Sequence, residues 1–125
     1  MLKKQFLDTD VIASAFFEGE RKDDCQRALR QGGVTDALVL IEAFNVIERI
    51  TDRDRAIRAI KALLRSDLTV VPLSDSTVFD TLKQAKRKLK VADLFHYTCA
   101  KLEACSAIVS YDRDFNGLDI PRKAP

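Results

Sequence analysis

Four carboxylates stand where a charge is costly. Asp8 ends the apolar pair Phe6-Leu7, and Glu42 interrupts Ala37-Leu38-Val39-Leu40-Ile41 and Ala43-Phe44. Asp93 follows Val91-Ala92 at the start of an apolar-rich helix, and Asp112 closes Ala107-Ile108-Val109-Ser110-Tyr111. An ionised carboxylate beside core-forming residues bears a desolvation cost of several kcal/mol unless something compensates it. Four of them, each at the edge of a core element, point to one acidic pocket. The plainer alternative is a set of N-caps and surface charges. If the acids converge, two of them about 4 Å apart repel by roughly 4 kcal/mol at an effective dielectric of about 20. Some then stay protonated, or a cation is bound. The donors are all oxygen, with no paired His or Cys, which selects Mg²⁺ or Mn²⁺ over zinc or iron. A hard divalent ion held by a few carboxylates is the usual apparatus of phosphodiester hydrolysis.

The elements that must bring these acids together can be read in outline. Lys4 to Asp8 reads as a short buried strand, followed by a helix from Thr9 to Phe17. Arg21 to Gln31 is a charged helix closed by Gly32-Gly33. Val34-Thr35 fits a short strand, and Asp36 caps a helix to about Thr51. On that helix Leu38, Ile41, Glu42, Asn45 and Arg49 share a face by their spacing. A further helix from Asp52 to Arg65 carries the apolar stripe Ile57, Ile60, Leu63 and Leu64. Leu68 to Val71 is a strand stopped by Pro72. Ser74 or Asp75 then caps a helix to Leu89, apolar at Val78, Phe79, Leu82 and Ala85. Val91 to Ala104 is helical, Ala107 to Tyr111 is a strand, and Leu118-Asp119-Ile120 is a weak last strand before Pro121.

Alternating apolar strands and helices predict an α/β fold, a three-layer α/β/α sandwich around a central, mostly parallel twisted sheet. Such sheets bind ligands beyond the carboxyl ends of their strands, where Asp8 and Asp112 would stand. Glu42 lies in the second turn of a helix entered from the same edge, and Asp93 at a helix N-terminus. The chain has 125 residues, 46% of them apolar, which suits one domain over residues 1–125 with a real core. A net charge of +2 neither demands nor excludes nucleic acid. No apolar run approaches membrane-helix length, and Met1-Leu2-Lys3-Lys4 leads into the first strand without a signal-peptide core. Cys25, Cys99 and Cys105 are odd in number and lack C-x-x-C spacing, so reduced thiols in a cytoplasmic protein are expected.

Taken in order, the acidic motifs resemble those of PIN domains. Phe6-Leu7-Asp8-Thr9-Asp10-Val11-Ile12 is similar to their opening strand and turn, and Leu38-Val39-Leu40-Ile41-Glu42 to their second acidic element. Val91-Ala92-Asp93 is similar to the third, and Ile108 to Phe115 to the fourth with its terminal aromatic. The match spans nearly the whole chain. Its compact size is most similar to that of VapC-type toxins. The resemblance implies a metal-dependent endoribonuclease, the toxin of a type II toxin–antitoxin pair, with Asp8, Glu42, Asp93 and Asp112 as catalytic metal ligands. It implies an RNA substrate, a small antitoxin protein and a homodimer as partners. The alternatives are a PIN-like nuclease of RNA processing without an antitoxin, and a non-catalytic RNA- or protein-binding module. The chain departs from the family in having Asp10 where Asn is usual, Ser110 where Thr is usual, and the bulky Leu94-Phe95-His96-Tyr97 after the third acid.

Secondary candidates surround the four acids. Asp114 is placed to supply a further ligand. Asp10 is expected to cap its helix or point to solvent. Thr9, Asn45 and Ser110 are expected to orient the ligands. His96 is expected to be a partly buried polar residue rather than a ligand or proton shuttle. Glu48, off the Leu38–Ile41 face, is expected to pair at the surface. Lys86, Arg87, Lys88 and Lys90, with Lys83, form a basic run just before Asp93. Such a run is ordinarily a solvated helix face, and its position makes it a candidate RNA-phosphate strip. Tyr97, Tyr111 and Phe115 are the candidate base-stacking aromatics, the last more suited to the core. Phe16 and Phe17 suit either the core or an exposed apolar patch.

Overall fold

The computed structural model describes residues 3–125; Met1 and Leu2, with the start of the segment leading into the first strand, lie outside the described residues. Five short parallel strands form one sheet in the order β3-β2-β1-β4-β5: β1 Gln5–Leu7, β2 Val34–Asp36, β3 Thr69–Val71, β4 Ala107–Val109 and β5 Arg122–Lys123. Among the described residues six α-helices connect and cover it: α1 Thr9–Ser14, α2 Lys22–Arg30, α3 Ala37–Ile50, α4 Arg53–Leu64, α5 Asp75–Leu82 and α6 Val91–Leu102. This is the expected α/β/α sandwich. The central strand β1 pairs on both sides, Phe6 standing opposite Val34 and Ile108. All three side chains are buried, as an apolar run covered on both faces should be.

The chain builds β1, β2 and β3 in one direction and then crosses back to lay β4 on the other flank of β1. The crevice at the carboxyl ends of β1 and β4 is therefore the switch point of the sheet. Asp8 and Ser110 follow directly on those two strands. Asp36 ends β2 beside them.

Several local expectations change. The buried face of α3 is Val39, Leu40, Ala43 and Ile47, and Ile41 is 69% exposed. Glu42 accordingly flanks the core face rather than sharing one with Ile41. On α4 the buried stripe is Ala56, Ala59 and Leu63, with Ile57 and Leu64 exposed. Small residues let α4 lie close to its neighbour α3, which the larger Ile57 and Leu64 would hold off. The first helix stops at Ser14, and Phe16 and Phe17 pack partly buried on the core. Helix α5 ends at Leu82, well before Leu89. Beyond it the chain turns through bonds from Gln84 N–H to Thr81, Ala85 N–H to Leu82 and Arg87 N–H to Gln84. Lys83, Lys86, Arg87, Lys88 and Lys90 would repel one another at i,i+3 and i,i+4 in a continued helix. The last strand lies after Pro121, not before it. The Pro121 carbonyl accepts from Ile108 N–H at 2.9 Å, a bond that a missing amide proton does not disturb.

All three cysteines are free and buried. Among the described residues no helix is long and apolar enough to cross a membrane.

Helix α6 ends in a Schellman turn. Cys105 N–H bonds to the Ala100 carbonyl and Ala104 N–H to that of Lys101, with Ala104 at φ 54°. An alanine pays a left-handed penalty there that glycine avoids. Ala104→Gly should therefore stabilise the fold by about 1 kcal/mol, read as a rise in the urea midpoint without a change in slope.

Candidate metal centre

Each acid reaches the crevice on a different element. Asp8 is the N-cap of α1, yet its side chain makes no capping bond. Its Oδ2 accepts from Ser110 Oγ at 2.7 Å. Ser110 Oγ in turn accepts from Asp112 N–H at 2.9 Å, so one hydroxyl spaces the first and fourth acids. Asp112 Oδ1 accepts from Asp114 N–H at 2.9 Å and opens a single 3-10 turn, Arg113–Phe115. That turn swings Asp114 back: Asp93, Asp112 and Asp114 each offer an oxygen within 4.8 Å of the others. Asp8, Thr9, Asp10, Glu42, Asp93, His96 and Asp112 line one cleft of about 380 Å³. A larger opening of about 510 Å³ lies between Lys3–Gln5 and Gln31–Val34, at the opposite ends of the strands, and carries no acid.

Glu42 is held rather than free. Its Oε1 accepts from Thr9 Oγ1 and from His96 Nε2, both at 2.8 Å. Among the described residues Oε2 takes no hydrogen bond. On its other side His96 Nδ1 meets Asp36 Oδ2 at 2.7 Å. Asp36 Oδ1 meanwhile accepts the Val39 N–H at 2.8 Å as the cap of α3. His96 is 1% exposed and Asp36 is completely buried. Both imidazole nitrogens face carboxylate oxygens, so both must carry protons, and the ring is an imidazolium with no lone pair for a metal. Burial opposes that charge, but the bonds to Asp36 and Glu42 outweigh it and lift the His96 pKa to about 10.

The electrostatics of the other acids follow from burial and mutual repulsion. Asp8 and Asp93 are both raised above the ordinary carboxylate value, chiefly by desolvation. His96 lowers each, while Asp112, Glu42 and Asp114 raise Asp93 further. Glu42 is lowered, first by its bond from His96. Asp10 does not point to solvent and makes no cap. It turns inward, its Oδ2 accepting from Tyr111 N–H at 2.9 Å. Desolvation and the charge on Asp8 push it to about 6. Its buried Oδ1 has no partner among the described residues. An orphaned carboxylate oxygen and a triple of converging oxygens are what an oxygen-seeking divalent ion requires, so the residues fit such a group.

The remaining candidates divide. Thr9 bonds to Glu42 and Ser110 to Asp8. Asn45 is exposed and lies outside the cleft, because the turn of α3 carries it past Glu42 toward solvent. Glu48 pairs with Arg53 at the surface. Lys86, Arg87, Lys88 and Lys90 lie on an irregular connection and none lines the cleft. Arg87 stacks on the Tyr97 ring at 4.8 Å, and Lys90 is the N-cap of the helix that bears Asp93. Tyr97 and Phe115 are fully buried and are not available for base stacking. Sequence reasoning had Asp36 only as a cap. An acid at the carboxyl end of β2 could have been flagged by the criterion that marked Asp8. It also passed over Arg21, which lines the cleft with its guanidinium 3.9 Å from the Tyr111 ring centroid.

The PIN domain family model matches residues 6–121, and the chain belongs to that family. No curated protein matches it in sequence. Among solved structures it is similar to Mycobacterium tuberculosis VapC20, described as a toxin that cleaves the sarcin-ricin loop. The TM-score is 0.81 at 15% identity, covering 98% of this chain and 100% of that one. It is also similar to a toxin–antitoxin complex from Klebsiella pneumoniae, with a TM-score of 0.73 at 16% identity and 98% of each chain covered. A third is VapBC2 from Rickettsia felis bound to a DNA fragment from its promoter. There the TM-score is 0.69 at 16% identity, covering 96% of this chain and 97% of that one. At such identities the likeness is one of fold.

Removing His96 would leave the buried Asp36 without its ion partner, still held by the Val39 N–H. His96→Gln should destabilise the protein by about 3 kcal/mol or more at pH 7. The folded pKa of His96 lies above its unfolded value near 6.5. Its contribution is therefore complete below about pH 6.5 and lost as pH rises through about 10. Denaturation at intervals from pH 7 to 10 should show the gap between parent and His96→Gln narrowing steadily.

Proposed function

We propose that this chain is a metal-dependent endoribonuclease that hydrolyses RNA phosphodiester bonds, the toxin of a type II toxin–antitoxin pair. The observation that carries this reading is the meeting of Asp93, Asp112 and Asp114 oxygens within 4.8 Å, in a cleft shared with Asp8 and Glu42. Membership of the PIN family supports it. So does similarity of fold to proteins described as a sarcin-ricin loop cleaving toxin and as toxin–antitoxin assemblies. Asp8, Glu42, Asp93 and Asp112 hold Mg²⁺ or Mn²⁺, with Asp114 as a further ligand. The bound ion would activate the attacking water and offset charge developing on the phosphate.

The protein's own part is positioning. Ser110 fixes the separation of Asp8 and Asp112 through its two bonds. Thr9 and His96 both bond to Oε1 of Glu42 and leave Oε2 without a hydrogen bond among the described residues. Desolvation and repulsion keep Asp8, Asp10 and Asp93 reluctant to ionise together, so a cation gains by relieving them. The basic run Lys86, Arg87, Lys88 and Lys90, which leads into the helix that bears Asp93, contacts RNA phosphates and guides the strand toward the cleft. An antitoxin protein restrains the enzyme, which works in the cytoplasm as a homodimer of one-domain chains.

Cleavage of an RNA oligonucleotide with Mn²⁺ tests this directly. Asp8→Asn and Asp93→Asn should each lower the rate by about 100-fold or more, at or beyond the roughly 10–100-fold typical of losing an outer partner. Mn²⁺ at about a hundred times its Kd should stabilise the parent by about 2.7 kcal/mol in thermal melts, and either variant much less. Unchanged cleavage by both variants would sink the assignment. Absence of any Mn²⁺ effect on the parent would leave a non-catalytic binding module on the same fold.

A further inference from the structure

Arg21 is a cation in the cleft that the acidic set does not explain. It stands exposed at the N-cap of α2 and lines the same cleft as Asp8, Asp10, Asp93 and Asp112. Its charge eases Asp10, but it ranks below the Tyr111 and Val11 N–H bonds in lowering that acid. Among the described residues it has no carboxylate within 4.0 Å and no side-chain hydrogen bond. It lies instead on the face of Tyr111, 3.9 Å from the ring centroid.

That ring is itself fixed. Tyr111 N–H donates to Asp10 Oδ2 at 2.9 Å, and the hydroxyl lies 3.7 Å from Cys25 Sγ. Cys25 is buried one turn into α2 from Arg21, its N–H bonded to the Arg21 carbonyl at 3.0 Å. Asp112 follows Tyr111 directly in the chain. Guanidinium, ring and acidic cluster thus share one frame. A stacked guanidinium spends its face on the ring and keeps its in-plane N–H groups for a ligand. Five coplanar donors beside a cation-seeking carboxylate cluster match the oxygens of a phosphodiester, which such an arginine takes in bidentate fashion.

We propose that Arg21, held on the Tyr111 ring, is a substrate-contacting residue that grips a backbone phosphate of RNA at the rim of the acidic cleft. This rests on the ribonuclease reading given above. The test is steady-state cleavage of a single-stranded RNA oligonucleotide with Mn²⁺ at several salt concentrations, for the parent, Arg21→Gln and Arg21→Lys. Arg21→Gln should raise KM about tenfold and reduce the slope of log KM against log salt by about 0.7, the share of one phosphate contact on a single strand. Arg21→Lys keeps the charge without the fork and should fall between, with the salt slope retained. The melting-temperature rise with Mn²⁺ alone should remain at least as large in Arg21→Gln, since a nearby positive charge has gone. An unchanged KM and salt slope in Arg21→Gln, with a parent that cleaves, overturns this proposal and leaves the nuclease reading intact. Loss of the Mn²⁺ effect in Arg21→Gln overturns it too, because Arg21 would then be holding the acids in place. A parent that neither binds nor cleaves RNA overturns both.

Discussion

The molecule is organised around a buried ion triad, Asp36–His96–Glu42. It joins the end of β2, the middle of α6 and the second turn of α3 through bonds of 2.7 and 2.8 Å. Burying Asp36 and His96, with Glu42 only half-buried beside them, is expensive, and apolar side chains of the same volume would often serve stability as well. What apolar side chains could not do is fix direction. The triad sets which oxygen of Glu42 the protein bonds and which it leaves free. It also inserts one fixed positive charge beneath an otherwise negative cluster. Asp8, Asp93 and Glu42 all feel that charge. The acids can be brought this close partly because His96 stands among them.

Around the triad the acids are spaced by short polar relays. Ser110 lies between Asp8 and Asp112, Thr9 touches Glu42, and Tyr111 N–H claims one oxygen of Asp10. Each relay residue lies within two positions of one of the acids in sequence. The site is thus specified by consecutive residues at two strand ends, with α3 and α6 supplying the opposing wall.

Much of this could be read from the chain. Apolar strands ending in Asp8 and Asp112 give both the parallel sheet and its acidic edge, because only a strand covered on both faces needs so many apolar residues in a row. The order of the motifs carried the family. What escaped were features set by rotation about an axis rather than by position along it. Ile41 and Asn45 share a helical face with Glu42 on spacing, but tertiary packing turned the helix so that both are exposed. Asp10 was expected outward from its place in a first turn, and the Tyr111 amide drew it inward. His96 was recognised as unusual, yet its pairing with Asp36, sixty residues away, is a property of the folded sheet. The basic run looked helical by composition, and its own repulsion makes the turns that replace the helix.

The pairing of β1 with β4 has a temporal meaning. Leu7 stands beside Val109, and the Ser110–Asp8 bond closes a loop of 102 residues. A ribosome synthesising this chain makes the first acid long before the fourth. Until residues 107 to 112 emerge, β1 has an open flank and Asp8 has no Ser110 to hold it. Contacts of such sequence separation form late and slowly. The cleft is therefore incomplete in every nascent fragment that lacks residues 107 to 112, and its acids meet only once that distant stretch has been added.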